Sequence, residues 1–255
     1  MSRVFVLGTE VDPITLEEAV SRIARLARSR DRHFVVTPNV DHVIRLRSDR
    51  DFRDAYAAAT LVLADGMPLV WASRLTRSPL PERVAGADLV LPVLAAAERD
   101  GLGVFFLGPM AETLNIALGW IGVRFPRLRI AGAHAPPRDF ERDQASLSRS
   151  VAALRAANPD IVFLALGTPK QELWIARHRD ELNFGVALCI GAGIDFIAGV
   201  QKRCPRILSR LSLEWAWRVY REPKRLWRRY AHCLLLAPIL MWEQLRHAWR
   251  FRARG

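Results

Sequence analysis

Short apolar runs alternate with amphipathic segments along the first two hundred residues, the pattern of βα units around a mostly parallel sheet. Arg3–Gly8 predicts a strand, and Thr15-Leu-Glu-Glu18 is a capping box that opens a helix to about Arg28. His33–Thr37 predicts a strand stopped by Pro38, with helical periodicity from Asn39 through about Ala59. Leu61–Ala64 is a short buried strand ending at Asp65-Gly66, and a helix follows Pro68. Gly86–Arg99 is helical, and Gly103–Leu107 is a strand ending at Gly108-Pro109. A further helix, the strand Leu128–Ala131 and a helix from about Phe140 to Ala157 come next. Ile161–Leu166 is a continuous apolar strand, Thr168-Pro-Lys-Gln171 opens a helix, and Val186–Ile190 is the last clear strand. The pattern predicts one Rossmann-like α/β body over residues 1–200, a mostly parallel sheet flanked by helices. A basic helical C-terminal appendage occupies 201–255.

Composition adds little until it is located. The chain has 255 residues, 51% of them hydrophobic and 25% charged, which excludes global disorder. The longest apolar run, Cys233 to Trp242, falls short of the roughly 18–20 residues a spanning helix needs. The first residues carry no recognisable secretory signal. Cys189, Cys204 and Cys233 are scattered without CxxC spacing, which points to a reducing, cytoplasmic setting rather than a disulfide framework or zinc site. The net charge is +12, and residues 201–255 hold fourteen Lys/Arg against Glu214, Glu222 and Glu243. A near-neutral body therefore carries a basic tail, and five of the eight tryptophans (Trp215, Trp217, Trp227, Trp242 and Trp249) lie in it.

In doubly wound folds chemistry gathers beyond the carboxyl ends of the strands. Here those ends are Thr37-Pro-Asn39, Asp65-Gly66, Gly108, Gly132-Ala-His134, Gly167-Thr168 and Gly191-Ala-Gly193, nearly all small or polar. Such an edge leaves room for a ligand and exposes helix N-termini to anions, so a phosphorylated substrate would suit it. No complete Walker A sequence and no GxGxxG is present, which argues against a P-loop NTPase or an NAD enzyme. Asp49-Arg-Asp51 matches the DxD of metal-dependent sugar-nucleotide enzymes. On a helix, however, i and i+2 diverge, and the pair reads as a solvated face. Asp65 follows a buried strand at the functional edge, near Thr37 and Asn39; it is a candidate base, with an Asx turn or N-cap as the competing role. His134 is a weaker candidate, and Gln171 competes with a full capping explanation in which Thr168 is N-cap and Pro169 the first helical residue.

In the tail, Arg218, Arg221, Lys224, Arg225, Arg228 and Arg229 recur at helical spacing beside an apolar stripe of Leu208, Leu211, Trp215 and Val219. Three roles fit: a solvated helix packed on the body, an anionic membrane surface, or nucleic acid. Tryptophan and leucine opposite arginine is the interfacial-helix pattern, and the apolar Leu234–Trp242 run favours lipid over phosphate tracking.

Several co-linear motifs then resemble one family, the WecG/TagA/CpsF glycosyltransferases (glycosyltransferase family 26), from Thr37 to Tyr230. They are Thr37-Pro-Asn39-x-Asp41, Ala64-Asp-Gly-Met-Pro-Leu-Val-Trp71, Pro81-Glu-Arg-Val-Ala-Gly-Ala-Asp88 and Leu166-Gly-Thr-Pro-Lys-Gln-Glu172. Gly191-Ala-Gly-Ile-Asp-Phe-Ile-Ala-Gly199 and Leu213-Glu-Trp-x-x-Arg218-x-x-x-Glu222-Pro223 continue the series. The resemblance implies an inverting, metal-independent transfer of a hexosyl or N-acetylhexosaminyl group from a UDP-sugar to a polyprenyl-diphosphate-linked sugar. It needs no cofactor and builds surface or wall polymers at the inner face of the cytoplasmic membrane. It implies Asp65 as base with Thr37, Asn39 and Gln171 around it. It also implies substrate contacts for Arg83, Asp88, His134 and Asp195, and diphosphate contacts for Arg218, Arg225 and Arg228. The expected partners are thus the two substrates and an anionic membrane surface, with no nucleic acid; a homo-oligomer stays open. Two departures from the family pattern are Ala-Pro-Pro after His134, where Gly and aromatics are common, and Cys204 before Pro205, where Ala is usual. The rival from another class is a peripheral nucleic-acid-binding or scaffold protein using the basic tail.

Overall fold

The computed structural model describes residues 2–201 and, further along, 217, 220, 236, 238–240, 242–246 and 249. A two-stranded hairpin, β1 (Val4–Val6) and β2 (Thr9–Val11), precedes the body. Helix α1 (Leu16–Ser29) leads to β3 (His33–Val36), then α2 (Val40–Ser48), α3 (Arg50–Ala57) and β4 (Leu61–Val62). Next come α4 (Met67–Ser73), α5 (Gly86–Asp100), β5 (Gly103–Leu107), α6 (Ala111–Arg124) and β6 (Arg129–His134). After α7 (Gln144–Ala157), β7 (Ile161–Leu164), α8 (Lys170–His178) and β8 (Val186–Cys189), the short α9 (Gly193–Ile197) ends the regular part.

The six strands β3–β8 form one sheet in the order β4-β3-β8-β7-β5-β6, and every pairing is parallel. This is the expected α/β, Rossmann-like architecture. A parallel sheet must bury both faces, so its strands are apolar throughout and alternate residues serve opposite cores. Phe34, Val36, Phe105, Leu107, Val162 and Leu164 join Phe52, Leu69 and Trp174 from α3, α4 and α8. Val35, Val104, Phe106, Ile161 and Phe163 join Ile23, Leu94 and Ile121 from α1, α5 and α6. Gly185, just before β8, has no room for a side chain: a Cβ there would lie 2.0 Å from the Ala27 carbonyl oxygen of α1.

Local chemistry corrects several predicted boundaries. Arg3–Gly8 is not one strand of the main sheet. Leu7 and Gly8 adopt positive φ (49° and 91°) and turn the chain into the hairpin. The predicted helix from Asn39 to Ala59 is two helices, because the Asp49 carboxylate accepts from the Phe52 amide and starts α3 afresh. The helix predicted from Phe140 begins at Gln144, where Asp143 caps two amides. Thr168 does not cap α8; Pro169 holds that position, and the Thr168 hydroxyl turns inward instead.

The hairpin also receives a piece of the tail. Gln244 and Leu240 are each only 1% exposed. The Leu7 amide donates to Gln244 Oε1 (2.8 Å), and Arg47 makes an ion pair with Glu243. On the outward side Ile239, Trp242, Leu245 and Trp249 are exposed. Among the described residues no helix is long and apolar enough to cross a membrane.

Candidate active site

Strand order fixes what can meet at the carboxyl edge. The neighbouring ends of β4, β3 and β8 deliver Asp65, Thr37-Pro-Asn39 and Gly191, while β6 delivers His134 at the far side. Asp65 is tied to the β3 end because its amide donates to the Pro38 carbonyl (2.8 Å). Gly66 packs close to Asn39, so the Asp-Gly turn lies directly against the start of α2. The buried Thr37 hydroxyl reaches toward the Cys189 carbonyl on β8 (3.4 Å). Asn39 is the N-cap of α2; its Oδ1 accepts from the amides of Asp41 and His42.

Arg83 joins two carboxylates. Its guanidinium lies 3.4 Å from Asp65 Oδ1 and 2.6 Å from Asp88 Oδ2. The segment carrying Arg83 is pinned to the same edge, since the Val84 amide donates to the Ala64 carbonyl. Asp88 sits in the first turn of α5 and Asp195 in the first turn of α9. Those helix starts pack together: a Cβ on Gly193 would meet Val90 and Ala87. A Cβ on Gly86, at the head of α5, would lie 3.0 Å from Thr37 Oγ1, the Cys189 carbonyl and Ile190. Side chains at this edge are therefore set by close backbone packing.

Gln171, 3% exposed, spans from α8 to β8. Its Oε1 accepts from the Gly191 amide (3.1 Å), and its Nε2 donates to Glu172 Oε1 (2.9 Å). Burial pushes the Glu172 carboxyl up to about 7, although Gln171 and Thr168 donate to it. Burial also raises Tyr56 and Cys189 nearby, with the Glu172 charge adding to both.

Thr37, Asn39, Asp65, Arg83, Asp88, Gln171 and Asp195 therefore come together along β4-β3-β8 and the helices that follow. His134 does not join them. It stands five strand spacings from the Asp65 strand, about 24 Å at the usual ~4.8 Å per strand. Its half-buried ring is held below the ordinary histidine range by desolvation and by Arg149. Arg218, Arg225 and Arg228 lie outside the described residues. The carboxylates of Asp49-Arg-Asp51 serve structure: Asp49 caps α3 and Asp51 pairs with Arg177 (2.8 Å). Among the described residues no cluster of three or more His, Cys, Asp or Glu could hold a metal ion.

The residues missed from sequence are His42, Thr168 and Glu172. His42 is buried, and its Nε2 lies 2.7 Å from Thr168 Oγ1. One signal was available: His42 stands three positions after Asn39, where a capping-box partner belongs, and its Nδ1 accepts from the Asn39 amide (3.0 Å).

The whole length of this arrangement has a known counterpart. The model of the Glycosyl transferase WecG/TagA/CpsF family matches residues 4–254. The chain belongs to this family. Among WecG/TagA/CpsF relatives, the N-acetylglucosaminyldiphosphoundecaprenol N-acetyl-beta-D-mannosaminyltransferase of Staphylococcus aureus (strain MW2) is 29% identical over 244 residues, covering 95% of this chain and 92% of the relative. The protein of the same name from Bacillus subtilis (strain 168) is 31% identical over 195 residues, 76% of this chain and 73% of the relative. The WecG/TagA/CpsF match takes in every motif of the carboxyl edge, from Thr37 to Asp195, and extends through the basic tail.

Proposed function

We propose that this glycosyltransferase moves a sugar with inversion from a UDP-sugar to a polyprenyl-diphosphate-linked saccharide, with Asp65 as general base. The observation that carries the reading is the gathering of Asp65, Thr37, Asn39 and Gln171 at adjacent strand ends. Inverting transfer asks for one base to take the acceptor hydroxyl's proton in line with the anomeric carbon. Asp65 meets that need: its side chain is 28% exposed, and Arg83 fixes its direction. Thr37 and Asn39 beside it can orient the sugar hydroxyls, and Gln171 lines the neighbouring strand end.

The leaving UDP requires charge stabilisation. In the described part of this edge, Asp65, Asp88 and Asp195 outnumber Arg83, a poor setting for a diphosphate by itself. The tail's arginines supply the missing positive charge in this reading, and Arg218, Arg225 and Arg228 are the candidates. An arginine fork matches diphosphate oxygens better than a lysine point charge. Ile239, Trp242 and Trp249, exposed opposite the docked Leu240 and Gln244, support contact with an anionic membrane in which the acceptor's lipid stays. The relatives' names point to an N-acetylhexosamine donor and an N-acetylglucosaminyl-diphospho-lipid acceptor.

The test is turnover of a panel of UDP-sugars against a short-chain polyprenyl-diphosphate-GlcNAc acceptor, wild type beside Asp65→Asn. Transfer with an inverted anomeric product and its loss in the variant is the expected result. Full turnover by Asp65→Asn leaves that residue only a structural role as the ion-pair partner of Arg83.

A further inference from the structure

The buried side chains behind the edge form a continuous chain that ends on two site residues. The Asn39 amide donates to His42 Nδ1, so that nitrogen carries no proton and Nε2 does. His42 Nε2–H then donates to Thr168 Oγ1 (2.7 Å), and the Thr168 hydroxyl donates to Glu172 Oε1 (3.2 Å). Gln171 Nε2 donates to the same Oε1, and Gln171 Oε1 holds the Gly191 amide. Donor and acceptor roles agree at every link. Glu172 Oε1 receives two donors, while Glu172 Oε2 is buried without a hydrogen-bond partner. His42 also lies parallel to the Phe52 ring (centroids 5.9 Å apart), which fixes its plane.

We propose that His42, Thr168 and Glu172 form a buried strut that holds Asn39 on α2 and Gln171 on α8 at a fixed relation to each other, making His42 and Glu172 positioning residues for glycosyl transfer. The inference rests on the assignment of the edge around Asp65 as the catalytic centre. α2 and α8 start from β3 and β7, which flank β8 on opposite sides, so no direct strand pairing joins the two helix starts. The strut spans that gap.

Among the described residues, the groups facing Glu172 are His42 and Arg45 from α2, Tyr56 from α3, and Cys189 from β8. Burial favours the neutral acid, and in either protonation state Glu172 Oε1 can accept from Thr168 and Gln171, so the links of the strut depend on that oxygen.

The experiment compares full-length wild type with His42→Asn and Glu172→Gln. Asparagine can still accept from the Asn39 amide but cannot reach Thr168, so His42→Asn cuts the strut while keeping the cap. The expected result is at least a 10-fold lower kcat, with KM for the UDP-sugar within about 3-fold. Glu172→Gln keeps an oxygen that can accept from Thr168 and Gln171, so it should retain most of the kcat that Glu172→Leu, added to the series, loses along with both links. Wild-type kcat in folded His42→Asn, or equal kcat in folded Glu172→Gln and Glu172→Leu, overturns the strut. Circular dichroism and melting temperature confirm that each variant is folded. Asp65→Asn in the same series separates the two ideas: loss of turnover supports the base, and normal turnover there removes the base without altering how the strut variants are judged.

Discussion

The two ends of the sheet's carboxyl edge are built differently. Along β4-β3-β8 the side chains are locked to one another: Asp65 to Pro38 and Arg83, Thr37 to β8, and Gln171 to Gly191 and Glu172. Along β5-β6 the backbone is held, with Gly108 turning at positive φ and its amide donating to the His134 carbonyl, but the half-buried His134 ring has Nε2 without a hydrogen-bond partner. Chemistry needs reacting groups held within a fraction of an ångström, whereas recognition of a ligand's outer parts tolerates more freedom. On the proposed function, bond making falls to the β4-β3-β8 end and the remote part of the ligand to the β5-β6 end.

Substitutions at the two ends should separate them. Asp65→Asn keeps the side chain's size and hydrogen bonding but removes its basicity; turnover should fall by about 10²-fold or more while UDP binding by calorimetry persists. Next is Gly86→Ala, whose methyl group would press on Thr37, the Cys189 carbonyl and Ile190 at 3.0 Å. We expect about a 10-fold lower kcat with little change in UDP affinity, since a small shift near the reacting atoms is costly. His134→Ala, at the other end, should leave kcat within about 3-fold and act mainly on donor KM. A larger kcat loss in His134→Ala than in Gly86→Ala would reverse the contrast.

Stability gives a gentler test. Folded Glu172 keeps its proton up to about pH 7, whereas an unfolded glutamate loses it near 4.5. Between those values the unfolded state binds fewer protons, so stability falls as pH rises and levels off above about 7. The change is on the order of 3 kcal/mol at 1.36 kcal/mol per pH unit. Urea midpoints from pH 4.5 to 8 should show that decline in wild type and a weaker one in Glu172→Gln. The smallest effect expected is from EDTA. With Asp49 capping α3 and Asp51 paired to Arg177, transfer should proceed undiminished in the chelator, and strict dependence on added magnesium or manganese would revive the DxD reading.

Much of the body was legible because a parallel sheet writes itself in continuous apolar runs. Gly103–Leu107 was predicted to the residue, and the α1 capping box has both of its bonds. The grouping of Thr37, Asn39, Asp65 and Gln171 followed from strand ends together with family resemblance. Strand order was not legible, since it depends on contacts between segments far apart in sequence, and it alone separates His134 from Asp65. Asp49 and Thr168 misled for a related reason. A short polar side chain can cap locally or turn to a distant partner, and only the packed structure decides. Glu172 entered the sequence reading only as the end of a motif, because nothing nearby in sequence announces that His42 will lie beside it.

The hairpin's hold on Gln244 carries a consequence for how the molecule comes into being. Leu7 and Gln244 are 237 positions apart, and Arg47 and Glu243 are 196 apart. Contacts of such span form late, because closing a long loop costs entropy before any contact repays it. During synthesis the hairpin and α2 emerge well before Glu243 and Gln244, so their cradle stands vacant until those residues have left the ribosome. The body can thus be finished while the exposed tryptophans are still being made. Seating of Leu240 and Gln244 therefore follows folding of the body, and the apolar side chains exposed opposite them are made only once the body can already be folded.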